Sequence, residues 1–282
     1  MIVEEIEIEN LEKYDAFIGA DMAENIGRLY YRGIGLTDSD GNPKASMIWE
    51  LQHFEDEEQD TGSFIRQLHA DKDQTISLLE KYAEAVHEDG VLRSEFELPP
   101  DPVSEACFKE KGFNVKQGEG SQLTVTLSEL VQIPVIKKTR VPDYIRELTG
   151  LDARSLKRGL LSCIFRGKRE VTEDLNSLPF DWFEKEISCY TETDGRIDGL
   201  LLVHKTASGC MKPELLINVG AESPKDLTYM LCFSANRARE IYSEDTKILI
   251  PRNDEASRKL AAYFFPGKKG EKAVYGSREE KL

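Results

Sequence analysis

Between Lys137 and Arg169 the chain carries Lys137, Lys138, Arg140, Arg146, Arg154, Lys157, Arg158, Arg166, Lys168 and Arg169, against only Asp143, Glu147 and Asp152. In a protein with a formal net charge of −15, this local reversal of sign has two readings. It is a basic helical face that is solvated or docks on the acidic remainder. Otherwise it is an anion site, for a nucleotide-type cofactor or an acidic partner. The remaining chemistry-bearing side chains are dispersed. Cys107, Cys163, Cys189, Cys210 and Cys232 form no C-x-x-C pair, and His53, His69, His87 and His204 are scattered, so no metal site is expected. Thiols used in this way suit a reducing compartment. No phosphate-binding G-x-x-x-x-G-K-[ST] loop, H-E-x-x-H helix or G-x-S-x-G elbow occurs. Gly33-Ile34-Gly35 falls in an expected strand, and the acidic run from Glu55 to Asp60 lacks the spacing and glycine of a calcium loop.

The elements that must position any site follow from periodicity. Strands are expected over Ile2–Glu9, Leu29–Leu36, Ala45–Phe54, Thr61–Leu68 and Val91–Leu98, with helices over Leu11–Ile26, Gln74–His87 and Val103–Lys111. Asn114 to Leu127 reads as a hairpin turning near Gly118 and Gly120. Helices are then expected over Pro142–Leu148, Ala153–Phe165 and Glu173–Ile187. A hairpin follows across Asp194-Gly195, then a strand over Glu214–Val219 and a helix over Leu227–Ile241. Thr246–Pro251 reads as a strand, Glu255–Phe264 as a helix, and the lysine- and glycine-rich tail as at most one weak strand.

This order repeats. Asp40-Gly41 to Gly112-Phe113 and Asp194-Gly195 to about Phe264-Phe265 share the sequence turn, strands, polar loop, amphipathic helix, apolar strand and aromatic-ending helix. A repeat of that length predicts two copies of one α/β module, here 1–130 and 131–282, the second led in by the basic helical segment. A chain of 282 residues accommodates both. No apolar run approaches the ~20 residues of a membrane helix. The acidic, alternating N-terminus reads as a strand rather than an export signal, which makes the cytoplasm the expected location. The net charge argues against general nucleic-acid binding.

Three passages carry a family resemblance. Ala106-Cys107-Phe108-Lys109-Glu110-Lys111-Gly112-Phe113 resembles the late helix of the GNAT (N-acetyltransferase) superfamily, which ends in an aromatic, three residues and Gly-Phe. Ile248 to Ala256 resembles that family's strand leading into an Asn-x-x-Ala helix start, and Ile197 to Val203 its strand with an early glycine. The resemblance implies an α/β (α+β) fold of two tandem GNAT-like modules, each a mixed, mostly antiparallel sheet flanked by helices. It also implies acetyl-CoA or another acyl-CoA as donor and an amine, as small molecule or peptide, as acceptor.

The family's donor loop is of type Arg/Gln-x-x-Gly-x-Gly/Ala, because exposed backbone N–H groups at a helix start cradle a pyrophosphate. The first copy offers Leu68 to Thr75 there, without glycine and with Asp71 and Asp73, so its module is expected to lack a cofactor site. The second copy offers Val219, Gly220, Ala221, Ser223 and Lys225 as cofactor-binding residues, interrupted by Glu222. The resemblance places a general acid at Tyr263, four residues before Gly267, where the first copy has Phe108. Packing beside Phe264 and Phe265 is the competing role for Tyr263. Glu186, Tyr190 and His204 are base candidates by location. Two functions therefore stand side by side. One is an acyl-CoA-dependent N-acyltransferase working through the second module. The other is a catalytically inactive GNAT-fold protein that binds a ligand or partner, or self-associates as a homo-oligomer through its sheet edges.

Overall fold

Buried residues spaced three and four apart make the long helices, and alternating or wholly apolar runs make the strands. The computed structural model describes residues 1–53, 61–168, 170–219, 223–253 and 255–280, so the expected loop at 55–60 lies outside the described residues. The first elements are β1 (Ile2–Glu5), α1 (Ala20–Ala23), β2 (Tyr31–Thr37), β3 (Pro43–His53), β4 (Thr61–His69), α2 (Lys72–Glu88), β5 (Val91–Leu98), α3 (Pro102–Glu110) and β6 (Asn114–Glu119). They are followed by β7 (Gln122–Thr126), α4 (Leu127–Gln132), α5 (Pro134–Lys138), β8 (Arg146–Glu147), α6 (Ala153–Phe165) and α7 (Glu173–Ser177). The chain closes with β9 (Cys189–Thr193), β10 (Arg196–Lys205), β11 (Met211–Asn218), α8 (Ser223–Ile241), β12 (Lys247–Pro251), α9 (Glu255–Phe264) and β13 (Lys272–Glu279).

The strands form a seven-stranded sheet in the order β1-β2-β3-β4-β5-β13-β6 and a six-stranded sheet in the order β7-β12-β11-β10-β9-β8. Only β4–β5 and β11–β12 are parallel. Two mixed, mostly antiparallel sheets flanked by helices are the expected fold class. The division of the chain is not a single cut near 130. One unit comprises Met1–Ser121 with Gly270–Leu282, the other Gln122–Lys269.

Strands thus cross over between the two stretches of sequence expected as modules, each sheet lying within one unit. Asn114–Leu127 is not a hairpin: β6 stays in the first sheet, whereas β7 pairs with β12 from Lys247↔Thr126 to Pro251↔Gln122. The tail, expected as a weak strand, is an interior strand of the first sheet. It pairs with β5 from Val274↔Leu98 to Glu279↔Arg93, and with β6 from Lys272↔Glu119 to Ser277↔Asn114. Gly276 is required there, since a Cβ would stand 2.6 Å from the Phe96 ring and 3.1 Å from the Asn114 carbonyl.

In the first unit, Asp71 and Gln74 close a capping box at the start of α2, and Thr75, Leu78, Leu79, Tyr82 and Val86 are its buried stripe. Phe96 on β5 stacks on Phe108 of α3 with ring centroids 3.9 Å apart. Leu11–Ile26 is not one helix. It makes a 3-10 turn at Leu11–Tyr14 and the short α1, separated by Gly19 in extended conformation. Successive turns keep the three-to-four spacing that resembles a helix and still bury Tyr14, whose ring lies over Gly35 of β2. In Gly33-Ile34-Gly35, Gly35 therefore makes room for an aromatic ring, whereas Gly33 lies against Ile6, Ile26 and Ile48.

In the second unit one core gathers Met230, Cys232, Ala235 and Ala238 of α8 with Leu201 and Val203 of β10 and with Phe264 and Phe265. A separate core gathers Leu156, Leu160 and Cys163 of α6 with Ile197, Leu200 and Leu202 of β10. Two expected helices are shorter than their patterns suggested. Pro179 confines the 173–187 segment to α7 and a 3-10 turn, because a residue before proline disfavours the helical conformation. The 142–148 segment yields only β8, bridged to β9, and a 3-10 turn at Leu148–Gly150.

Because β13 is paired on both sides, ending the chain at Lys269 should abolish folding of the first unit, read as a red shift of Trp49 emission. Trp49 emission unchanged in the truncated chain would contradict the exchange. Gly276→Val should keep the strand but cost about 1–3 kcal/mol by overpacking Phe96, measured by denaturant unfolding.

Candidate functional site

In the second unit β11 and β12 run parallel but meet at one register position, Met211↔Ile248, at the start of both strands. On its other side β11 pairs with β10 from Lys205↔Met211 to Gly199↔Asn218, with one register shift between Leu202 and Val203. The ladder continues as Val219 N–H donates to the Asp198 carbonyl at 2.7 Å. Antiparallel pairing alternates the direction of backbone groups. Val219, Ile217 and Leu215 therefore bond toward β10, and the N–H and C=O of Leu216 face the side on which β12 has diverged. An open strand edge of this kind accepts an extended, amide-bearing ligand as an added strand.

The edge leads directly to the start of α8, a nineteen-residue helix whose first N–H groups carry partial positive charge. Two clamps hold this junction. Arg166, just after α6, donates to Asp198 Oδ1 at 2.9 Å, to the Ile197 carbonyl at 3.3 Å and to the Val219 carbonyl at 3.1 Å. From the helix side, Asp226 is 8% exposed and accepts from Asn218 Nδ2 and from the Tyr144 hydroxyl, both at 2.8 Å. The strand end and the first turn of α8 are thereby tied to each other, to α6 and to the segment before β8. None of Arg166, Asp226, Asn218 or Tyr144 was among the residues expected to act. Their partners lie 8 to 82 positions away in sequence, beyond any local pattern.

The predicted loop residues fall at this junction. Val219 ends the strand edge, Lys225 is exposed in the first turn of α8, and Gly220 and Ala221 lie outside the described residues. Ser223 begins α8, with its side chain also outside them. Tyr263 sits in the last turn of α9 and is 68% exposed, edge-on to Phe264 at 5.3 Å. It is not packed into the core, which is the place of Phe264 and Phe265.

The base candidates separate. Glu186 is exposed and Tyr190 is buried on β9. His204 is buried, stacked on Trp182 with centroids 4.1 Å apart, and its Nδ1 lies 2.8 Å from the Trp182 carbonyl. That arrangement explains His204 structurally. Burial pushes the thiols of Cys107, Cys163, Cys189 and Cys232 upward, so these cysteines are protonated at neutral pH and poor nucleophiles. Among the described residues no cluster of His, Cys, Asp and Glu could hold a metal, and no helix is long and apolar enough to cross a membrane.

The corresponding place in the first unit is built differently. There β4 and β5 remain paired from Thr61↔Val91 to Ile65↔Phe96. The start of α2 is closed by its own carboxylate: Gln74 N–H donates to Asp71 Oδ1 at 2.9 Å, and Asp71 N–H donates to Gln74 Oε1 at 2.9 Å. A charge of the sign that an anion would bring already occupies that helix end.

Asp226→Ala removes two hydrogen bonds to a buried carboxylate and should lower stability by about 2 kcal/mol in denaturant unfolding. Asp226→Asn keeps one acceptor and should lose less. Equal stability of the alanine variant and the parent would show that the clamp is idle.

No known family profile matches the sequence, and no curated protein does. Solved structures match over the full chain. A tandem GNAT protein from the clavulanic acid biosynthesis pathway is similar at 10% identity with a TM-score of 0.62, covering 100% of this chain and 99% of that one. A probable N-acyltransferase from Enterococcus faecalis V583 is similar at 10% identity and TM-score 0.53, covering 100% of this chain and 73% of that one. A GCN5-related N-acetyltransferase from Sphaerobacter thermophilus is similar at 14% identity and TM-score 0.52, covering 100% and 96%. Likeness along the whole chain, together with two mixed sheets in one polypeptide, identifies the fold as that of a tandem GNAT protein.

Proposed function

We propose that the chain is an N-acyltransferase whose second module takes an acyl group from acyl-CoA, acetyl-CoA being the simplest, and passes it to an amine. The observation that carries this reading is the divergence of β11 from β12 beside the start of α8. An open edge with a helix start at its end suits a ligand that is an amide-bearing arm followed by a phosphate.

Leu216 offers one N–H and one C=O to the arm, so that its amides add to β11 as a short strand. Val219, Gly220, Ala221, Ser223 and Lys225 would hold the pyrophosphate, with Lys225 the one cation in that set. Glu222 in the same loop opposes a phosphate and limits affinity. The bound thioester supplies an acyl carbon activated toward amines. Tyr263, exposed on α9, is assigned as the acid that protonates the departing sulfur. The acidic surface favours a cationic amine as acceptor. The first module, with its helix start capped by Asp71, is read as having no donor site.

Titration calorimetry with acetyl-CoA and longer acyl-CoAs should show saturable micromolar binding at one site per chain. Gly220→Trp should abolish that binding, and heat unchanged in this variant would remove the loop from the site. Tyr263→Phe should slow turnover by about a hundredfold or more with cofactor affinity unchanged. Turnover equal to the parent would leave Tyr263 as a surface aromatic. No heat with the folded chain at millimolar acyl-CoA would favour the inactive binding protein instead.

A further inference from the structure

The outward face of α6 is unlike the rest of this acidic surface. Arg154, Lys157, Arg158, Leu161, Ile164 and Phe165 are all exposed along it, and Lys168 follows just beyond the helix. Phe165 is 88% exposed, the most exposed large apolar side chain among the described residues. Arg154, Lys157 and Arg158 are exposed together on this face, with Asp152 at the start of the helix the nearby carboxylate. The opposite face of the helix is anchored, with Leu156, Leu160 and Cys163 buried in the core of the second unit. The exposed stripe is therefore held rigidly, and folding does not require it. Exposed apolar residues rimmed by cations mark an interaction surface rather than a solvated one.

Position decides what the surface is for. Phe165 is followed by Arg166, whose guanidinium bonds the Val219 carbonyl at the end of the open β11 edge. The stripe consequently ends at the mouth of the proposed donor site. Along the helix the stripe extends from Arg154 to Phe165, about 17 Å at 1.5 Å per helical residue. That span exceeds a diphosphate, which gathers two or three converging cations, and matches an acidic helix lying alongside. The loop at the mouth itself carries Glu222, and Asp226 adds a second carboxylate in the first turn of α8. Apart from Lys225 and Arg166, the cations of this region therefore lie beside the mouth, where a protein would rest, rather than within it.

We propose that the outward face of α6 is the docking surface for an acidic carrier protein that presents the acyl thioester on a pantetheine-type arm. The inference rests on the acyl-transfer reading above and names the source of its donor. An acidic helix of the carrier pairs with Arg154, Lys157, Arg158 and Lys168, while an apolar patch covers Leu161 and Phe165. The arm then enters along Leu216 without the nucleotide phosphates of a free cofactor. In the transfer the amine nitrogen forms the amide bond and the carbon–sulfur bond breaks. The proton lost by the amine ends on the thiol that remains on the carrier. The net negative charge of the chain disfavours an acidic carrier in general, and the local excess of cations on α6 gives orientation as well as attraction.

The test uses the full chain with an acidic acyl carrier protein bearing an acetylated phosphopantetheine, and in parallel with acetyl-CoA. Fluorescence anisotropy of the labelled carrier should report micromolar binding that weakens about tenfold or more from low to high salt. Lys157→Glu combined with Arg158→Glu should weaken carrier binding by about tenfold or more, and Phe165→Ala should weaken it as well. Both variants should leave the melting temperature and acetyl-CoA affinity unchanged. Carrier binding that is absent, or indifferent to these substitutions, while acetyl-CoA still binds would overturn the carrier inference and leave acyl transfer standing. Acetyl-CoA affinity lost together with Lys157 and Arg158 would reassign the stripe to the nucleotide and likewise overturn it. Binding to phosphatidylserine vesicles without carrier binding would also overturn it. Absence of binding to both donors would remove the acyl-transfer reading itself.

Discussion

The chain is bound together by an exchange of backbone hydrogen bonds. The first sheet is completed by β13, supplied from the far end of the sequence, and the second is completed by β7, supplied from the end of the first repeat. A strand paired on both sides contributes to its sheet through two ladders, and β13 has pairs on both flanks from Val274 to Ser277. Neither repeat is therefore a self-sufficient folding unit in its own stretch of sequence. The first sheet is complete only with residues 272–279 in place. That constraint also determines where variation is tolerated: small residues such as Gly276 sit where neighbouring strands and rings leave no space.

The two copies of one module use the same topology to different ends. In the first, β4 and β5 stay paired over five residues of β4, from Thr61 to Ile65, and a carboxylate closes the helix that follows. In the second, the parallel partners separate after a single register position, and the strand end is clamped by Arg166 and Asp226. The clamps do not themselves offer a reactive group. They place a backbone edge, a helix start and the end of α6 around one junction. Duplication supplies the reason that one copy can close its helix start without loss, provided the other retains an opening.

Much of the fold was legible locally. Strand β5 follows alternation, β2 and β3 read as runs buried on both faces from Gly33 to Thr37 and from Ala45 to Trp49, α2 follows its stripe from Thr75 to Val86, and α8 follows Met230 to Ala238. The exchange was not legible. Two short strands joined near Gly118 and Gly120 look the same whether they pair with each other or with strands more than a hundred residues away. The tail was undervalued because its lysines and glycines obscure the short buried pair Ala273-Val274. Leu11 to Ile26 imitated a helix because successive turns share its spacing. At the site, the small residues after Val219 were visible as a loop that could admit a ligand. Arg166 and Asp226 were visible only as members of a basic run and a helix start, since their roles depend on partners brought close by folding. The exposed face of α6 was foreshadowed by the charge reversal between Lys137 and Arg169, but only the burial of Leu156 and Leu160 shows which side is outward.

The central claim is that the donor lies against the open edge of β11 in the second module and nowhere in the first. Residue-resolved amide hydrogen exchange, with and without acetyl-CoA, reads this directly. The account predicts slowed exchange at Leu216 and at the first amides of α8, with Leu68 to Gln74 unaltered. Protection confined to the start of α2, or no change at Leu216 under saturating ligand, would contradict it.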